Sequence, residues 1–577
     1  MKKRASVLIA GALGVAMVAL PGANAVGDEH HHHPDIDHVL LISIDGMHAL
    51  DYLNCSKGIT GFNGGKPYCP NLAALGTSGV NYVNTSTSKP SDSFPGLMAL
   101  MTGGSPRTMG VNYDVAYDRA LNPPAQTSGN GNPGGSCTAG ATPPGTTTEY
   151  DEGIELDQTK LNGGAPTGDG GVNALNPNFM VRDKSCNPVY PWNFVRVNTI
   201  FGVIHAARGY TAWSDKHASY SSVGGPTGNT TDSNVDDYFS PEINSDSANF
   251  AAEAPTQLLI HECVSGGKAT LPDSAAATAG DDYTGSFQNI QCYDGLKANA
   301  IINEIKGMNH DGTAKTKVPA IFGMNFQAVS IGQKLIYQHG SVASGYSSSG
   351  GYADSIGTPS ASLLQEIEFV DTEIGDMVNA LKAQNLIDTT LVIITAKHGQ
   401  SPVDASRYVR DGSNDPATLL SSYLAPSENS AIGPTEDDVA LLWLANSSNT
   451  PTAVADLESV SPPSNNIAGI GEIFSGPGIG LYYNAGDSRA PDILITPNIG
   501  VTYSNSKKKL AEHGGFAHDD VNVMMLLSNP DFKSSTITSP VETAQVAPTI
   551  LRALELEPSD LQAVQAEGTQ ILPGLDL

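Results

Sequence analysis

The sequence predicts an α/β fold: a large three-layer domain with a mostly parallel central sheet, helices on both faces and loop-rich insertions. Residues 38–44 and 390–395 read HVLLISI and TLVIIT. Near-continuous aliphatic runs of this length are typical of strands buried on both faces of a parallel sheet. Helical patterns at 298–305 and 360–384 precede the strands predicted at 318–324 and 390–395. This alternation predicts helices that cover both faces of the sheet.

The first 25 residues have the pattern of a secretory signal peptide. A basic segment at 1–4 is followed by an apolar run at 5–20 and by the small-residue tripeptide at 23–25. Cleavage near Ala25 predicts a secreted protein, extracellular or periplasmic. No later apolar run reaches the roughly 18 residues that a membrane span needs. We therefore expect no membrane anchor.

Residues 26–37 form a His-rich leader with four consecutive imidazoles at 30–33. Such a tract can collect zinc. It can equally be a disordered leader without a role, and this interpretation is favoured because nothing around it has the pattern of a folded element. The tract is therefore left out of the predicted site.

Residues 38–577 are predicted to form one catalytic domain with surface insertions at about 121–187 and 401–500, where loop-forming residues dominate. Six cysteines fit an oxidising compartment and can form three disulfides. Fifteen pairings are possible, and pairing between sequence neighbours is expected. The expected pairs are Cys55 with Cys69, Cys137 with Cys186, and Cys263 with Cys292.

The chain is strongly acidic, with 59 Asp and Glu residues against 30 Lys and Arg residues and a formal charge of −29. A long nucleic acid would be repelled, and it is excluded as a resident partner. A small phosphate-ester substrate can still bind where a local cation offsets the field. The sequence does not determine the oligomeric state.

Asp45 and Ser93 are the first candidates for chemistry. Asp45 directly follows the strand at 38–44, where open α/β sheets place their ligands. Ser93 lies in a hydroxyl-rich turn that opens onto an apolar helix ending at Gly103. Each has a structural alternative, since Asp and Ser commonly cap helices. As a nucleophile, Ser93 would gain an anion site from the amides of the helix N-terminus.

The sequence resembles the type I phosphodiesterase/nucleotide pyrophosphatase branch of the alkaline phosphatase superfamily. The matching pattern is a strand ending in Asp-Gly, a Pro-Asn-Leu helix at 70–75, and Ser-Phe-Pro at 93–95 followed by Leu-Met-Thr-Gly and a Pro. The resemblance implies that Ser93 is the nucleophile. The sequence also departs from the family at two positions: the usual Asn after Phe-Pro is Gly96 here, and the family's later His is Met109.

The resemblance also implies a divalent metal centre, most commonly zinc, with one or two ions. The implied metal ligands are Asp45, Ser93, His398 and His513. A second ion would need an Asp and a His after the strand at 318–324, where this sequence instead has Gln327 and Gln333. Amides are poor zinc ligands compared with carboxylate and imidazole. Asp519 and Asp520 are candidates for orienting His513 or His518.

Lys397 is the most consequential departure, because the family has a metal-binding Asp at the matching position. An ammonium cannot coordinate zinc. Two interpretations are open: either Lys397 supplies the charge of one missing metal and acts in catalysis, or it marks a relative that has lost catalysis. The first is favoured because Asp45, Ser93 and the His-Gly pairs at 398 and 513 all remain.

Residues 214–217, Ser-Asp-Lys-His, follow a short strand predicted at 210–213. The resemblance places this strand at the rim of the site without assigning these residues a role. For His217, a role as a ligand or phosphate contact and a role in a hydrogen-bonded rim cluster both remain open.

The predicted function is a secreted, metal-dependent hydrolase of phosphate esters that is phosphodiesterase-like and acts through Ser93. A phosphomonoesterase, another ester hydrolase of the superfamily, and a non-catalytic protein that binds phosphate esters remain alternatives.

Overall fold

The computed structural model describes residues 35–128, 131–149, 175–226, 234–243, 283–337, 344–412, 414–429, 433–460, 469–484, 486–504 and 506–577. These residues fall within one compact unit that spans residues 34–577. The predicted signal peptide, the leader up to residue 34, and Cys263 lie outside the described residues.

The strands belong to one large sheet and several small ones. In chain order they are β1 His38–Ile44, β2 Gly79–Tyr82, β3 Thr85–Ser86, β4 Val115–Asp118, β5 Thr146–Glu149, β6 Ala212–Ser214, β7 Asp237–Phe239, β8 Ile321–Phe326, β9 Thr390–Thr395, β10 Val409–Arg410, β11 Thr435–Glu436, β12 Ala440–Leu442, β13 Ile470–Ser475, β14 Ile493–Pro497, β15 Val501–Thr502, β16 Met525–Ser528, β17 Ser535–Ile537 and β18 Val541–Glu542. The large sheet has eight strands in the order β17-β2-β16-β9-β1-β8-β6-β7.

The centre of the large sheet is parallel. Strand β1 pairs in parallel with β8 on one side and with β9 on the other, and β6 and β7 continue the parallel pairing beyond β8. Only β16 runs antiparallel to its neighbours β9 and β2 among the described strands of this sheet. The predicted mostly parallel central sheet is therefore confirmed.

Helices cover both faces of this sheet. They are α1 Ala49–Lys57, α2 Pro70–Leu75, α3 Ser93–Thr102, α4 Pro106–Met109, α5 Pro191–Phe194, α6 Ile200–Ala206, α7 Phe287–Ile305, α8 Ala328–Lys334, α9 Ala361–Ala383, α10 Pro416–Leu419, α11 Thr450–Glu458, α12 His518–Val521, α13 Val546–Ala553 and α14 Gln562–Glu567. No described helix is both long and apolar enough to cross a membrane.

Alternate residues of β1 pack into two different cores. Val39 and Leu41 join the core that contains α3, α6 and α13, whereas Leu40 and Ile42 join the core that contains α1, α2, α7 and α9. Because side chains alternate across a strand, a strand apolar at every position must be covered on both faces. The continuous aliphatic run in the sequence is thus explained.

Helix α7 begins earlier than the sequence pattern indicates. The prediction starts at residue 298, but the helix starts at Phe287 after Ser286, whose side chain accepts the N–H of Asn289. Asp294 and Lys297 interrupt the apolar pattern, yet both are buried and their charged groups lie 3.1 Å apart. Since this ion pair is internal to the helix, the helix continues through it.

The segment 401–500 builds a separate antiparallel sheet in the order β11-β12-β14-β13, with a core of its own around Leu442 and Ile493. Two of the predicted disulfides are confirmed, Cys55–Cys69 and Cys137–Cys186. Cys292 is disulfide-bonded, but the predicted partner Cys263 lies outside the described residues.

Candidate active site

The candidate site lies at the carboxyl ends of four neighbouring parallel strands. In the sheet these strands are β9, β1, β8 and β6. The chain leaves them at Lys397, Asp45, Gln327 and Lys216, each within two residues of the strand end. Because the ends of parallel strands meet at one edge of the sheet, residues distant in sequence come together there.

Ser93 is the first residue of α3, a helix whose residues are all buried. Its Oγ lies 3.1 Å from His398 Nε2 and accepts a hydrogen bond from Lys216 Nζ at 3.2 Å. A serine that merely capped the helix would occupy the preceding position, which is Asp92 here. The Ser93 hydroxyl instead faces the two nitrogen atoms at the positive end of the helix dipole.

His398 is held in one tautomer. Its Nδ1 lies 2.7 Å from the carbonyl oxygen of Gly399. A carbonyl only accepts, so Nδ1 carries the hydrogen and the lone pair of Nε2 faces Ser93. Burial lowers the pKa of His398 below its usual value, and this outweighs the opposing effect of Asp45. The imidazole is therefore neutral near pH 7 and can accept the serine proton.

Asp45 is buried, and one of its oxygens is surrounded by nitrogen atoms. Oδ2 accepts a hydrogen bond from Gln327 Nε2 at 2.5 Å, and it lies 3.4 Å from Lys397 Nζ and 4.0 Å from Lys216 Nζ. Burial acts to raise the pKa of Asp45, but the neighbouring positive charges, that of Lys397 first and also that of Lys216, outweigh it and hold the pKa well below its usual range. Asp45 is therefore an ionised carboxylate.

Lys397 is completely buried, and its ammonium lies 3.6 Å from Asp215 Oδ1 and 4.7 Å from the centre of the Tyr220 ring. Within the described part of the chain, Nζ donates no hydrogen bond to another side chain or carbonyl. Gly96 explains how this backbone packs, because a Cβ at position 96 would lie 2.2 Å from the Lys397 carbonyl oxygen. The two departures at positions 96 and 397 are thus in direct contact.

His513 lies beside His398, with 3.9 Å between the ring centres. Burial, followed by the positive charges of its surroundings, places the pKa of His513 well below its usual value. Asp519 and Asp520 do not orient it through a hydrogen bond among the contacts described. Asp519 accepts the N–H of Val403 instead, and Asp520 accepts the N–H of Gly515.

The two glutamines have different positions. Gln327 contacts Asp45, as described above, whereas Gln333 is buried behind the turn and donates to the Gly46 carbonyl at 2.7 Å and to Tyr352 Oη at 2.8 Å. Gly46 has φ +83°, and a Cβ there would lie 2.0 Å from Gln333 Oε1. Glycine is therefore required in the turn that follows Asp45.

His217 takes part in a buried hydrogen-bonded pair. Its Nδ1 lies 2.7 Å from Glu242 Oε1, and both side chains are buried. This arrangement matches the rim-cluster interpretation of His217.

Comparison with protein families gives one decisive match. The family described as type I phosphodiesterase/nucleotide pyrophosphatase matches residues 39–143 and 263–519, which together are more than half of the chain. The chain belongs to this family. The predicted resemblance is therefore confirmed, and it extends across both of the segments that carry Ser93 and His398. No curated protein gives a significant match to the chain.

Solved structures show the same fold at low sequence identity. Murine ectonucleotide pyrophosphatase/phosphodiesterase 5 superposes with a TM-score of 0.50 and 14% identity, covering 90% of this chain and 96% of that one. Wild-type alkaline phosphatase PafA superposes with a TM-score of 0.52 and 14% identity, covering 91% and 96%. The α/β architecture is thus shared with both.

The family's two-metal arrangement does not fit the side chains of this site. Gln327 donates an N–H to Asp45, and the Lys397 ammonium lies 3.4 Å from the same oxygen, whereas the family resemblance implies metal ligands at both positions. The resemblance implies a His four residues after the Asp position; four residues after Gln327 stands the apolar Ile331, so Gln333, named above as the departure, is not the matching residue. In the part of the chain that is described, no group of three or more His, Cys, Asp or Glu residues could hold a metal ion.

Electrostatics also opposes a dication in this place. A dication about 4 Å from the Lys397 ammonium would be repelled by roughly 8 kcal/mol at an effective dielectric of 20. The presence of a divalent metal, with zinc as the expected ion, therefore stays a prediction. We assign no chemical step to it.

A cavity of about 220 Å³ adjoins the site and carries positive charge. It is lined by Lys216, whose ammonium contacts the Ser93 oxygen, and by Lys334, Lys508 and Lys509. Glu512 forms an ion pair with Lys509. Four lysines around one cavity are a local excess in a chain with 30 basic and 59 acidic residues, and such a cavity suits an anionic ligand.

Sequence reasoning missed the role of Lys216 and the contacts of Gln327 and Tyr220. The signal for Lys216 was present, since it follows a short strand at its carboxyl end. Nothing in the sequence pairs that strand with the one before Gln327, because the two strands are about 110 residues apart. Strands β6 and β8 are neighbours only because of the order of the strands in the sheet.

Proposed function

We propose that this protein is a secreted hydrolase of phosphate esters with Ser93 as its nucleophile. The observation that carries the proposal is the position of the Ser93 oxygen, 3.1 Å from the neutral imidazole of His398 and 3.2 Å from the ammonium of Lys216. One nitrogen can accept the proton, and the other can stabilise the alkoxide. Membership of the phosphodiesterase family supports this reaction class.

The chemistry needs two displacements at phosphorus. First, Ser93 Oγ attacks phosphorus and forms an O–P bond, while its proton passes to His398 Nε2. The bond from phosphorus to the ester oxygen breaks on the side opposite Ser93, and the leaving oxygen keeps the electron pair and takes a proton from solvent water. Then a water oxygen attacks phosphorus from that opposite side and loses a proton to solvent. The Oγ–P bond breaks, and Ser93 Oγ recovers its proton from His398.

Positive groups around Ser93 suit the charge of a phosphoryl group. Lys216 contacts the nucleophile, the buried Lys397 ammonium lies 3.4 Å from Asp45, and the N-terminus of α3 adds its dipole. Such fixed charges stabilise a phosphoryl transition state in a site that excludes water. Lys397 is therefore proposed to act in catalysis together with Ser93.

Turnover of three esters tests the function. We expect hydrolysis of bis-p-nitrophenyl phosphate in preference to p-nitrophenyl phosphate and p-nitrophenyl sulfate, as the family membership indicates. Preference for the monoester or the sulfate would support the alternative ester hydrolases. Binding of these esters without turnover would identify a non-catalytic relative and overturn the proposal.

Replacing the nucleophile tests the assignment of Ser93. Ser93→Ala should reduce kcat by roughly 10⁴ to 10⁶, the range for removal of a serine nucleophile, and should abolish phosphorylation of the protein detected by mass spectrometry. Ser360→Ala is the matched control, because Ser360 accepts the N–H of Leu363 at the start of α9 and is purely a cap. This control should lose about 1 kcal/mol of stability and keep its kcat. Full activity of Ser93→Ala would refute the assignment.

Export is supported by the signal-peptide pattern and by the two described disulfides, which persist in oxidising compartments. Mass spectrometry of protein recovered from outside the cytoplasm should find an N-terminus near Val26. Recovery of the protein only in the cytoplasm, with its cysteines reduced, would contradict export.

A further inference from the structure

We propose that this site hydrolyses its ester without a bound metal ion, and that the ammonium groups of Lys397 and Lys216 supply the positive charge that its family takes from metals. The inference rests on the proposed function and specifies its chemistry. It follows from the geometry around one oxygen atom, Asp45 Oδ2, and around the Ser93 hydroxyl.

The charges around Lys397 balance one another. Two carboxylates, Asp45 and Asp215, face the ammonium of Lys397 at 3.4 and 3.6 Å, and Lys216 brings a second ammonium within 4.0 Å of Asp45. Two negative and two positive charges therefore meet in a buried space. Because these charges already compensate one another, the group needs no added cation to be stable.

One predicted metal-ligand atom, Asp45 Oδ2, is already occupied by hydrogen bonds. Asp45 Oδ2 accepts N–H groups from Gln327 at 2.5 Å and from Asn325 at 3.2 Å. An oxygen that accepts two hydrogen bonds and faces an ammonium presents no lone pair to a metal on that side. The two amide side chains thus occupy Asp45 Oδ2, whereas Asp45 Oδ1 is buried and accepts no hydrogen bond from the described residues.

The residues at which this chain departs from its family pack against one another. The Lys397 ammonium lies over the Tyr220 ring at 4.7 Å, a favourable cation–π position. Its backbone needs glycine at position 96, where a Cβ would lie 2.2 Å from its carbonyl oxygen. Thr87 Oγ1 donates to the same carbonyl at 2.5 Å. These contacts fix both the ammonium and the backbone of Lys397 in the site.

The two ammonium groups have different roles. Lys216 donates to Ser93 Oγ at 3.2 Å, so it stabilises the alkoxide that attacks phosphorus and the same oxygen when it leaves. Lys397 Nζ donates no hydrogen bond to the described residues, so its N–H groups are available to the oxygens of a bound phosphoryl group. Together they cover the nucleophile and the transferred group.

Wild-type protein provides the first test. Protein purified without chelator is assayed before and after dialysis against EDTA and 1,10-phenanthroline, and its zinc, manganese, iron, calcium and magnesium contents are measured by mass spectrometry. We expect well under one metal ion per chain and a kcat that changes less than twofold. A kcat that falls with metal content and returns on adding Zn²⁺ would overturn the inference while leaving the proposed hydrolase intact. Absence of turnover before chelation would instead overturn the proposed function.

Lysine variants provide the second test. Lys216→Met and Lys397→Met replace the ammonium with an uncharged, unbranched side chain one atom shorter, and each should lower kcat by roughly 10² to 10³, as removal of a transition-state donor does. Lys382→Met is the matched control on the exposed surface of α9 and should change kcat less than twofold. Full activity of both site variants would refute the inference. If either variant fails to fold, the chelation experiment still decides.

Discussion

At the scale of single residues, the proton-accepting and proton-donating contacts of Ser93 depend on which nitrogen atoms around it carry hydrogen. The Gly399 carbonyl fixes the hydrogen of His398 on Nδ1, and this leaves Nε2 as the acceptor for Ser93. Lys216 can only donate, so Ser93 Oγ gives its hydrogen to one neighbour and receives one from the other. Either contact alone would leave the hydroxyl free to rotate, whereas both together aim its lone pairs.

The first prediction at this scale concerns the pH dependence of hydrolysis. His398 must be neutral to accept the serine proton, and burial holds its pKa below the ordinary value of 6.5. Activity should therefore rise with pH through an apparent pKa below 6.5 and should already be near its plateau at pH 7. Measurement of kcat/KM between pH 4 and 8 gives this apparent pKa from the acidic limb of the profile. His398→Gln should remove the limb and lower kcat/KM by roughly 10² to 10⁴.

The control for this experiment is His205→Gln, since His205 lies in α6 and pairs with Asp236. It should retain both the limb and the rate. An unchanged limb in His398→Gln would show that another group takes the proton.

The second prediction at this scale reverses the departure at position 397. Lys397→Asp places a third carboxylate near Asp45 and Asp215 and removes the ammonium that repels cations. The variant should be less stable than wild type without metal, and zinc should raise its Tm, because a ligand that binds only the native state stabilises it. Elemental analysis should give about one ion per chain.

We expect one ion because Gln327 and Ile331 remain unsuitable as ligands for a second. The same charge change at an exposed position, Lys382→Asp, serves as the control and should show no zinc-dependent Tm. Absence of metal from Lys397→Asp would place residue 397 away from the family's ligand position.

At the scale of elements, the junction of β1 and α1 carries a buried ion pair that the chemistry does not use. His48 caps α1: its backbone N–H is accepted by Asp51 at 3.0 Å and its Nδ1 lies 2.7 Å from the same carboxylate. Burial acts to lower the pKa of His48, but Asp51 outweighs it and raises the pKa to about 9. The turn that positions Asp45 is thus anchored by a charged histidine.

This pair predicts a pH dependence of stability. His48 binds its proton more tightly in the folded chain than in the unfolded one, so its contribution is complete below pH 6.5 and is lost as pH rises through about 9. The loss amounts to roughly 3 kcal/mol over this window. Urea unfolding at pH 6, 7.5 and 9 measures it. His48→Gln should flatten the decline, and the same decline in both proteins would assign it to other groups.

At the scale of the whole molecule, Arg489 joins the small antiparallel sheet to the main body. Its Nε donates to Asp118 at 2.9 Å, and its Nη1 donates to the carbonyls of Gly110 and Phe194, both at 2.7 Å. The guanidinium also lies 3.6 Å from the centre of the Phe194 ring. One side chain from the segment 401–500 therefore contacts three separate parts of the chain.

Arg489→Ala should accordingly destabilise the protein by about 3 to 5 kcal/mol, because it leaves the buried Asp118 carboxylate without its partner. Arg119→Ala is the matched control: its pair with Asp492 is partly exposed, and such pairs contribute about 0 to 1 kcal/mol. Thermal or urea unfolding of the two variants measures the loss of stability in each. Equal, small losses in both variants would show that the small sheet is held by its apolar contacts instead.

The sequence by itself determined the elements and the identity of the nucleophile candidate. The aliphatic run at 390–395 matches β9 residue for residue, and the pattern at 360–384 matches α9 within one residue at each end. Pairing of sequence neighbours also predicted Cys55–Cys69 and Cys137–Cys186, which are separated by 14 and 49 residues. These features depend on local propensity, periodicity and short sequence separations.

Only the tertiary structure decided what surrounds Ser93. Lys216 reaches its oxygen because β6 lies beside β8 in the sheet, and Gln327 reaches Asp45 because β8 lies beside β1. The amino acids between those strands do not encode the order of the sheet in any local pattern. The sequence alone left two interpretations of Lys397 open, whereas the packing of distant strands brings its buried ammonium within 4 Å of Asp45 and Asp215.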